Sequence, residues 1–225
     1  VWDKRDFRDF DGDREIGTRT IKVALKRLRR WARDGAHEEL EEVRRGPGLR
    51  GAPEQGEGVQ EPEAAALELR RIVEEYGMPG AMVPSTGLKA HLGSKEYWPV
   101  YAEADRLGCA LGVHGGAHEN FGMDDLNPYA PVHALGHPFG QMIAFAGIVF
   151  NGIFDRFPNV RFGFLEAGVA WLLLCLERFD RSWETHIQWD PRGEYIKLRD
   201  GEAISEYIKR HTKAGRVFVG CEGDE

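Results

Sequence analysis

The regular alternation of helix-like and strand-like segments from Glu63 onward constrains the fold of this chain most strongly. Apolar residues recur at helical spacing over 63–77, 95–107, 138–154, 171–183 and 202–210, and short apolar runs lie between them at 80–86, 109–114, 161–168 and 216–222. Strands that alternate with helices in this way pair in parallel and are buried on both faces. The pattern predicts an α/β fold, either an open doubly wound sheet or a closed barrel. No GxGxxG or Walker-type loop precedes any of these helices. The sequence therefore argues against the nucleotide-binding members of these fold classes.

The first 60 residues differ in character from the rest. Residues 21–33 combine helically spaced apolar residues with arginines and lysines, and residues 46–62 are rich in Gly, Pro and Glu. The basic helix either packs on a domain with a solvated face or serves as an interaction module for a partner. We therefore predict an irregular, charged N-terminal segment over 1–60 and the α/β unit over 61–225.

Composition limits the kinds of binding partner and the cellular compartment that we expect for this protein. A net charge of −7 argues against a nucleic-acid partner. No run approaches the roughly 18 apolar residues of a membrane span, and the charged N-terminus lacks the apolar core of a signal peptide. Cys109, Cys175 and Cys221 lie far apart in apolar stretches, which is typical of reduced core thiols. These features predict a cytoplasmic protein with no membrane or nucleic-acid partner.

Polar residues follow the predicted strands in the same register. Ser85, His114, Glu166 and Glu222 each come directly after an apolar run. In both candidate architectures the ligand site lies at the carboxyl ends of the strands. We therefore expect these four side chains to line one rim.

His114 is followed by Gly115 and Gly116, which place no side-chain bulk beside the imidazole. Glycines here permit an unusual backbone turn and the close approach of a ligand or metal ion, and neutral imidazole is a common ligand of transition metals. The alternative is a structural histidine bonded to a carbonyl group.

Glu166 follows the apolar run FGFL, where an unpaired carboxylate would be costly to bury. One interpretation is a salt bridge to an arginine such as Arg178. The others are a metal ligand or a general acid/base.

Three histidines, His118, His133 and His137, lie in the long connection after His114. His137 directly precedes Pro138, where we expect a helix to begin, so it is the best placed of the three to face the rim. The HxxxH spacing of His133 and His137 lacks the glutamate of HExxH, and we do not expect it to lie within a helix. For His118 and His133, exposure to solvent is an equal alternative to a functional role.

The segments GVHGG (112–116) and NGIFDRFPNVRFGFLEAG (151–168) resemble the amidohydrolase-related family of metal-dependent (β/α)8-barrel hydrolases and decarboxylases, the group that includes aminocarboxymuconate semialdehyde decarboxylase. The resemblance extends over residues 60–225. It implies an incomplete (β/α)8 TIM barrel whose mouth holds a divalent metal ion, zinc or manganese. It also implies hydrolysis or decarboxylation of a small organic substrate that is carboxylated or aromatic. Family members form dimers, so the resemblance implies a homodimer.

Carried over to this chain, the resemblance makes His114 the metal ligand at the end of the fifth barrel strand. Glu166 occupies the sixth-strand position, and we expect it and His137 to be catalytic. We expect Ser85, His118 and Glu222 to contact substrate. The family's first-strand HxH or ExH pair and its eighth-strand aspartate do not occur in this sequence, so we expect a fragment that binds metal poorly and is inactive alone. The alternative is a metal-free binding or scaffold protein derived from the barrel.

Overall fold

Four parallel strands form one sheet in sequence order, and helices connect each strand to the next. The computed structural model describes residues 60–116, 120–190 and 196–220. Its strands are β1 (Gly80–Pro84), β2 (Ala110–His114), β3 (Arg161–Phe164) and β4 (Val217–Val219). Each neighbouring pair is parallel, so all four carboxyl ends lie at one edge of the sheet.

Six α-helices accompany the strands within the described residues. They are α1 (Pro62–Glu74), α2 (Trp98–Leu107), α3 (Tyr129–Phe150), α4 (Ile153–Arg156), α5 (Ala170–His186) and α6 (Ile204–Lys213). Short 3₁₀ helices precede α2 at Lys95–Tyr97 and follow α5 at Ile187–Trp189. The predicted α/β alternation is therefore confirmed.

The bounds predicted for the helix over 138–154 are wrong at both ends. The helix begins nine residues earlier, at Tyr129, and Pro138 lies inside it. A proline here removes one backbone hydrogen bond, yet the apolar face of α3 packs on the sheet and outweighs that loss. After Phe150 the helix ends, and Gly152, with a φ of 65°, turns the chain into the separate one-turn helix α4.

The two faces of the sheet differ in the side chains they carry. One face presents Leu111, Val113, Phe162 and Phe164, which are at most 1% exposed and belong to the apolar core. The other face carries one cross-strand row in register, Met82–Gly112–Gly163–Phe218. Since side chains alternate along a strand, His114 belongs to the same face as this row, two residues closer to the carboxyl edge.

Several sequence predictions concern residues outside the described ranges. They include the basic helix at 21–33, the irregular segment over 1–60 and Cys221. Cys109 and Cys175 are buried free thiols, and burial raises the pKa of Cys175 to about 12. Among the described helices, none combines the length and the apolar character that crossing a bilayer requires.

Candidate metal centre

His114 is the last residue of β2, and its imidazole is two-thirds buried at the carboxyl edge of the sheet. Its Nδ1 lies 3.2 Å from the carbonyl oxygen of Gly115, and its Nε2 contacts Oε2 of Glu166. With the proton on Nδ1, both Nε2 and the carboxylate oxygen present lone pairs to each other. Two such acceptors face each other stably only when a proton or a metal ion lies between them.

Glu166 follows β3 after one intervening residue and adopts a left-handed backbone conformation, with a φ of 59°. A non-glycine residue pays about 1–2 kcal/mol for this conformation, so surrounding contacts have to hold it in place. The side chain is 54% exposed, and its carboxylate contacts His114 and His137. Within the described residues it makes no ion pair with Arg178, the partner in the alternative interpretation.

His137 reaches the same point from helix α3, and its side chain is only 14% exposed. Its Nε2 lies 3.8 Å from Oε2 of Glu166, and its ring stands at 88° to that of His114 with 5.5 Å between the centroids. The expectation that HxxxH lies outside a helix is wrong. His133 and His137 are one turn apart in α3, and His133 is exposed.

The glycines after His114 make room for protein atoms. A Cβ atom on Gly115 would lie 2.4 Å from Nε2 of His137, and one on Gly116 would lie 2.3 Å from the carbonyl oxygen of Thr86. Neither glycine has a positive φ. Gly115 is therefore needed because the ring of His137 packs directly against the backbone there.

Together, His114, His137 and Glu166 form a group of potential metal ligands. One ligand atom from each lies within 4.8 Å of the others. Two ligands of a tetrahedral zinc ion, each about 2.1 Å from it, lie roughly 3.4 Å apart. The cluster therefore fits a single divalent ion only after its side chains move by about an ångström, since its ligand atoms are spread over up to 4.8 Å. Two imidazoles and one carboxylate are also a known zinc ligand set.

The other predicted site residues do not join this cluster. Ser85 is only 3% exposed, and its backbone N–H donates to the carbonyl oxygen of His114 at 2.7 Å. Its Oγ lies against α3, where a Cβ atom on Gly140 would come within 2.5 Å of it. This burial favours a packing role, and substrate contact by Ser85 stays a prediction. His118 and Glu222 lie outside the described residues.

One residue of the site was missed at the sequence level. Gln141 is fully buried in α3, and its Nε2 donates to the carbonyl oxygens of Val113 and Leu165, at 2.9 Å each. The available signal was an amide side chain one helical turn after His137 in an otherwise apolar segment.

The most strongly shifted carboxyl and histidine groups lie away from the cluster, in structural contacts. Hydrogen bonds from Arg106 and Arg70 lower the pKa of Glu103, in α2, to about 2. Burial, followed by the charges of Arg216 and Arg210, lowers the pKa of His211, in α6, to about 4. The shifts of these two groups arise from structural contacts in the helical layer and do not indicate a catalytic role.

The sequence of this chain is similar to those of known proteins. A family model described as amidohydrolase matches residues 56–210. The chain is 30% identical over 106 residues to 2-amino-3-carboxymuconate-6-semialdehyde decarboxylase from Dictyostelium discoideum, covering 47% of this chain and 29% of that protein. It is 32% identical over 136 residues to gamma-resorcylate decarboxylase from Rhodococcus jostii (strain RHA1), covering 51% and 39%. The chain thus spans well under half the length of these curated relatives.

A solved structure agrees with the fold. It is 5-carboxyvanillate decarboxylase from Novosphingobium aromaticivorans, complexed with manganese and 4-hydroxy-3-methoxy-5-nitrobenzoic acid. The TM-score is 0.53 at 19% identity, over 73% of this chain and 45% of that one. The predicted incomplete (β/α)8 barrel is confirmed at the level of fold. Because the family model matches well over half of the residues, the chain belongs to the amidohydrolase family.

Proposed function

We propose that this chain supplies part of the active site of a metal-dependent decarboxylase that acts on a small carboxylated substrate, aromatic in the first instance. The cluster of His114, His137 and Glu166 carries the proposal. Of the two reactions that the sequence left open, decarboxylation is favoured because both curated relatives are decarboxylases. The chain covers 29% and 39% of those relatives, so turnover is part of the proposal and has to be measured.

His114 and Glu166 are the residues that would hold the ion. Glu166 is the proposed second ligand because its Oε2 contacts Nε2 of His114. An ion bound to one of these atoms would therefore lie next to the other. Zinc and manganese both suit imidazole and carboxylate ligands, and the related solved structure contains manganese. A catalytic zinc ion normally has three protein ligands, so the described pair alone predicts weak binding. When bound, the ion would act as a Lewis acid that orients the substrate carboxylate and stabilises developing negative charge.

His137 is the proposed proton donor. In decarboxylation the bond between the ring carbon and the carboxylate breaks, its electron pair stays on the ring carbon, and carbon dioxide leaves. The ring carbon must then gain a proton. Nε2 of His137 lies at the cluster but 3.8 Å from Glu166, so it can hold that proton without competing for the contact between Glu166 and His114. Its low exposure keeps bulk water from the transfer.

Binding of Mn²⁺ and Zn²⁺ to the purified chain, measured by titration calorimetry, tests the metal site. We expect His114→Ala and Glu166→Gln to weaken binding by at least about tenfold. His186→Ala is the matched control, because His186 is an exposed histidine at the end of α5. Equal affinity in wild type and His114→Ala would refute the site and favour the metal-free binding protein.

Turnover separates the role of His137 from that of the ligands. The assay is the release of carbon dioxide from gamma-resorcylate or 5-carboxyvanillate. We expect His137→Gln to abolish release while Mn²⁺ binding persists. If His137→Gln loses Mn²⁺ as fully as His114→Ala does, His137 is a third ligand and the proposed proton donor is wrong.

A further inference from the structure

We infer that Gln141 is a positioning residue for the metal centre, because its amide group ties together the two strand ends that carry His114 and Glu166. The inference rests on the proposed function, in which those two side chains hold the ion. Among the described residues, Gln141 makes no hydrogen bond to His114 or Glu166. It acts through the backbone that leads into them.

The contacts of the Gln141 amide are the first step. Its Nε2 donates at 2.9 Å to the carbonyl oxygen of Val113, the residue before His114. It also donates at 2.9 Å to the carbonyl oxygen of Leu165, the residue before Glu166. A primary amide has two N–H donors, and both are used here. One side chain therefore sets the distance between two peptide units, each of which leads into a proposed ligand.

The backbone at this point needs such support. Leu165 already donates its own N–H to the carbonyl oxygen of Val113, at 2.9 Å, as the last link between β2 and β3. Beyond it, Glu166 turns into the left-handed conformation with a φ of 59°, which ends the regular ladder. The carbonyl group of Leu165 belongs to the peptide unit that enters this turn. The bond from Gln141 fixes the plane of that unit and so the direction in which the Glu166 side chain leaves the strand.

The same residue fixes the third member of the cluster. His137 and Gln141 are four residues apart in α3, so they lie on one face of the helix. Gly140 lets this face approach the sheet, since a Cβ atom there would come within 2.5 Å of Oγ of Ser85. Gln141 reaches the two carbonyl groups only when α3 lies this close to the sheet. The same distance brings His137 beside Glu166.

The chemistry of the side chain supports a positioning role over simple packing. Gln141 is fully buried, and among the described residues its Oε1 has no hydrogen-bond partner. An unpartnered buried acceptor is destabilising. A packing role would be served better by methionine, which has similar length and no polar atoms. The two donated bonds are the property that only the amide provides.

Gln141→Met tests the inference, with Tyr207→Phe as the control. Tyr207 is also buried, and its hydroxyl donates to Asp155 at 3.0 Å, so the control loses a buried hydrogen bond in a different helix. We expect both variants to unfold at lower urea concentration than wild type. Only Gln141→Met should bind Mn²⁺ more weakly, by about 10–100-fold, as is usual when a group that orients a ligand is removed.

A second readout needs no metal. Amide hydrogen exchange of the metal-free chain should quicken over residues 113–116 and 165–168 in Gln141→Met but stay unchanged there in Tyr207→Phe. Should Gln141→Met fail to fold, Gln141→Asn carries the same test, because the shorter amide cannot span both carbonyl groups. The inference is overturned if Mn²⁺ affinity and exchange at both segments match the control. If wild type and His114→Ala bind Mn²⁺ equally, the proposed function fails, while the exchange result still decides whether Gln141 couples the two strand ends.

Discussion

Replacing Gly115 by alanine should displace the ring of His137, which packs directly against the backbone there. The added Cβ atom would lie 2.4, 2.5 and 3.0 Å from three atoms of the His137 ring, whereas ordinary contact begins at 3.4 Å. The ring therefore has to retreat by about 1 Å, because Gly115 directly follows the last residue of β2, a strand that is paired on both sides. A misplacement of this size costs roughly 100-fold in rate when it affects a catalytic group. Overpacking adds a loss of about 1–3 kcal/mol in the free energy of unfolding.

Gly163→Ala is the matched control for this substitution. Gly163 lies in the neighbouring strand, and its added Cβ atom would meet only the Cδ2 atom of Leu165, at 3.8 Å. Both variants are assayed for release of carbon dioxide, for Mn²⁺ affinity and for stability in urea. We expect Gly115→Ala to lose turnover while its Mn²⁺ affinity stays within a few-fold of the control. Equal turnover in the two variants would refute the argument that His137 is held in place by the absence of a side chain at Gly115.

Three further predictions concern stability. Addition of Mn²⁺ at about 100 times its Kd should raise the free energy of unfolding by about 2.7 kcal/mol, an increase that EDTA reverses and His114→Ala lacks in urea titrations. The pKa of His211 is about 4 in the folded chain against 6.5 for the free side chain, so the unfolded state binds more protons between these values. Stability should therefore fall as the pH drops from about 6.5 to about 4, and His211→Gln should flatten that part of the profile. The pKa of Glu103 is lowered from 4.5 to about 2, so its stabilisation is present above pH 4.5 and lost as the pH falls towards 2. Glu103→Gln should lack this acid-dependent loss, and a slope unchanged by the substitution would contradict the assignment.

The meeting of His114 and Glu166 could be predicted from the sequence because it depends on one general property. Parallel strands bring their carboxyl ends to the same edge of a sheet, so residues that follow two paired strands become neighbours. The apolar run at 109–114 ends where β2 ends, β3 ends at Phe164 within the run at 161–168, and the two strands do pair. Nothing beyond the strand positions and their parallel order was required.

The position of His137 could not be predicted in the same way. Pro138 is typical of the first turn of a helix, so the local signal placed the helix start one residue after His137. In the structure α3 begins at Tyr129. The energy that decides this comes from packing of the whole apolar face of α3 on the sheet, which no local pattern reports. The role of Gly115 was hidden for the same reason, because its close neighbour is 22 residues away in sequence.

The three members of the cluster are therefore held in position by different interactions. His114 ends β2 and inherits its position from the hydrogen-bonded ladder, whereas Glu166 follows Leu165, where the ladder ends. His137 has no such ladder, and its place depends on how closely α3 approaches the sheet. Gly140 and Gly115 remove the atoms that would hold the helix away, and Gln141 supplies the bonds that draw it in. A substitution that alters this helix–sheet distance but keeps the Gln141 amide, such as Gly115→Ala, should mainly shift the proton donor, whereas loss of the amide should also loosen the ligand pair.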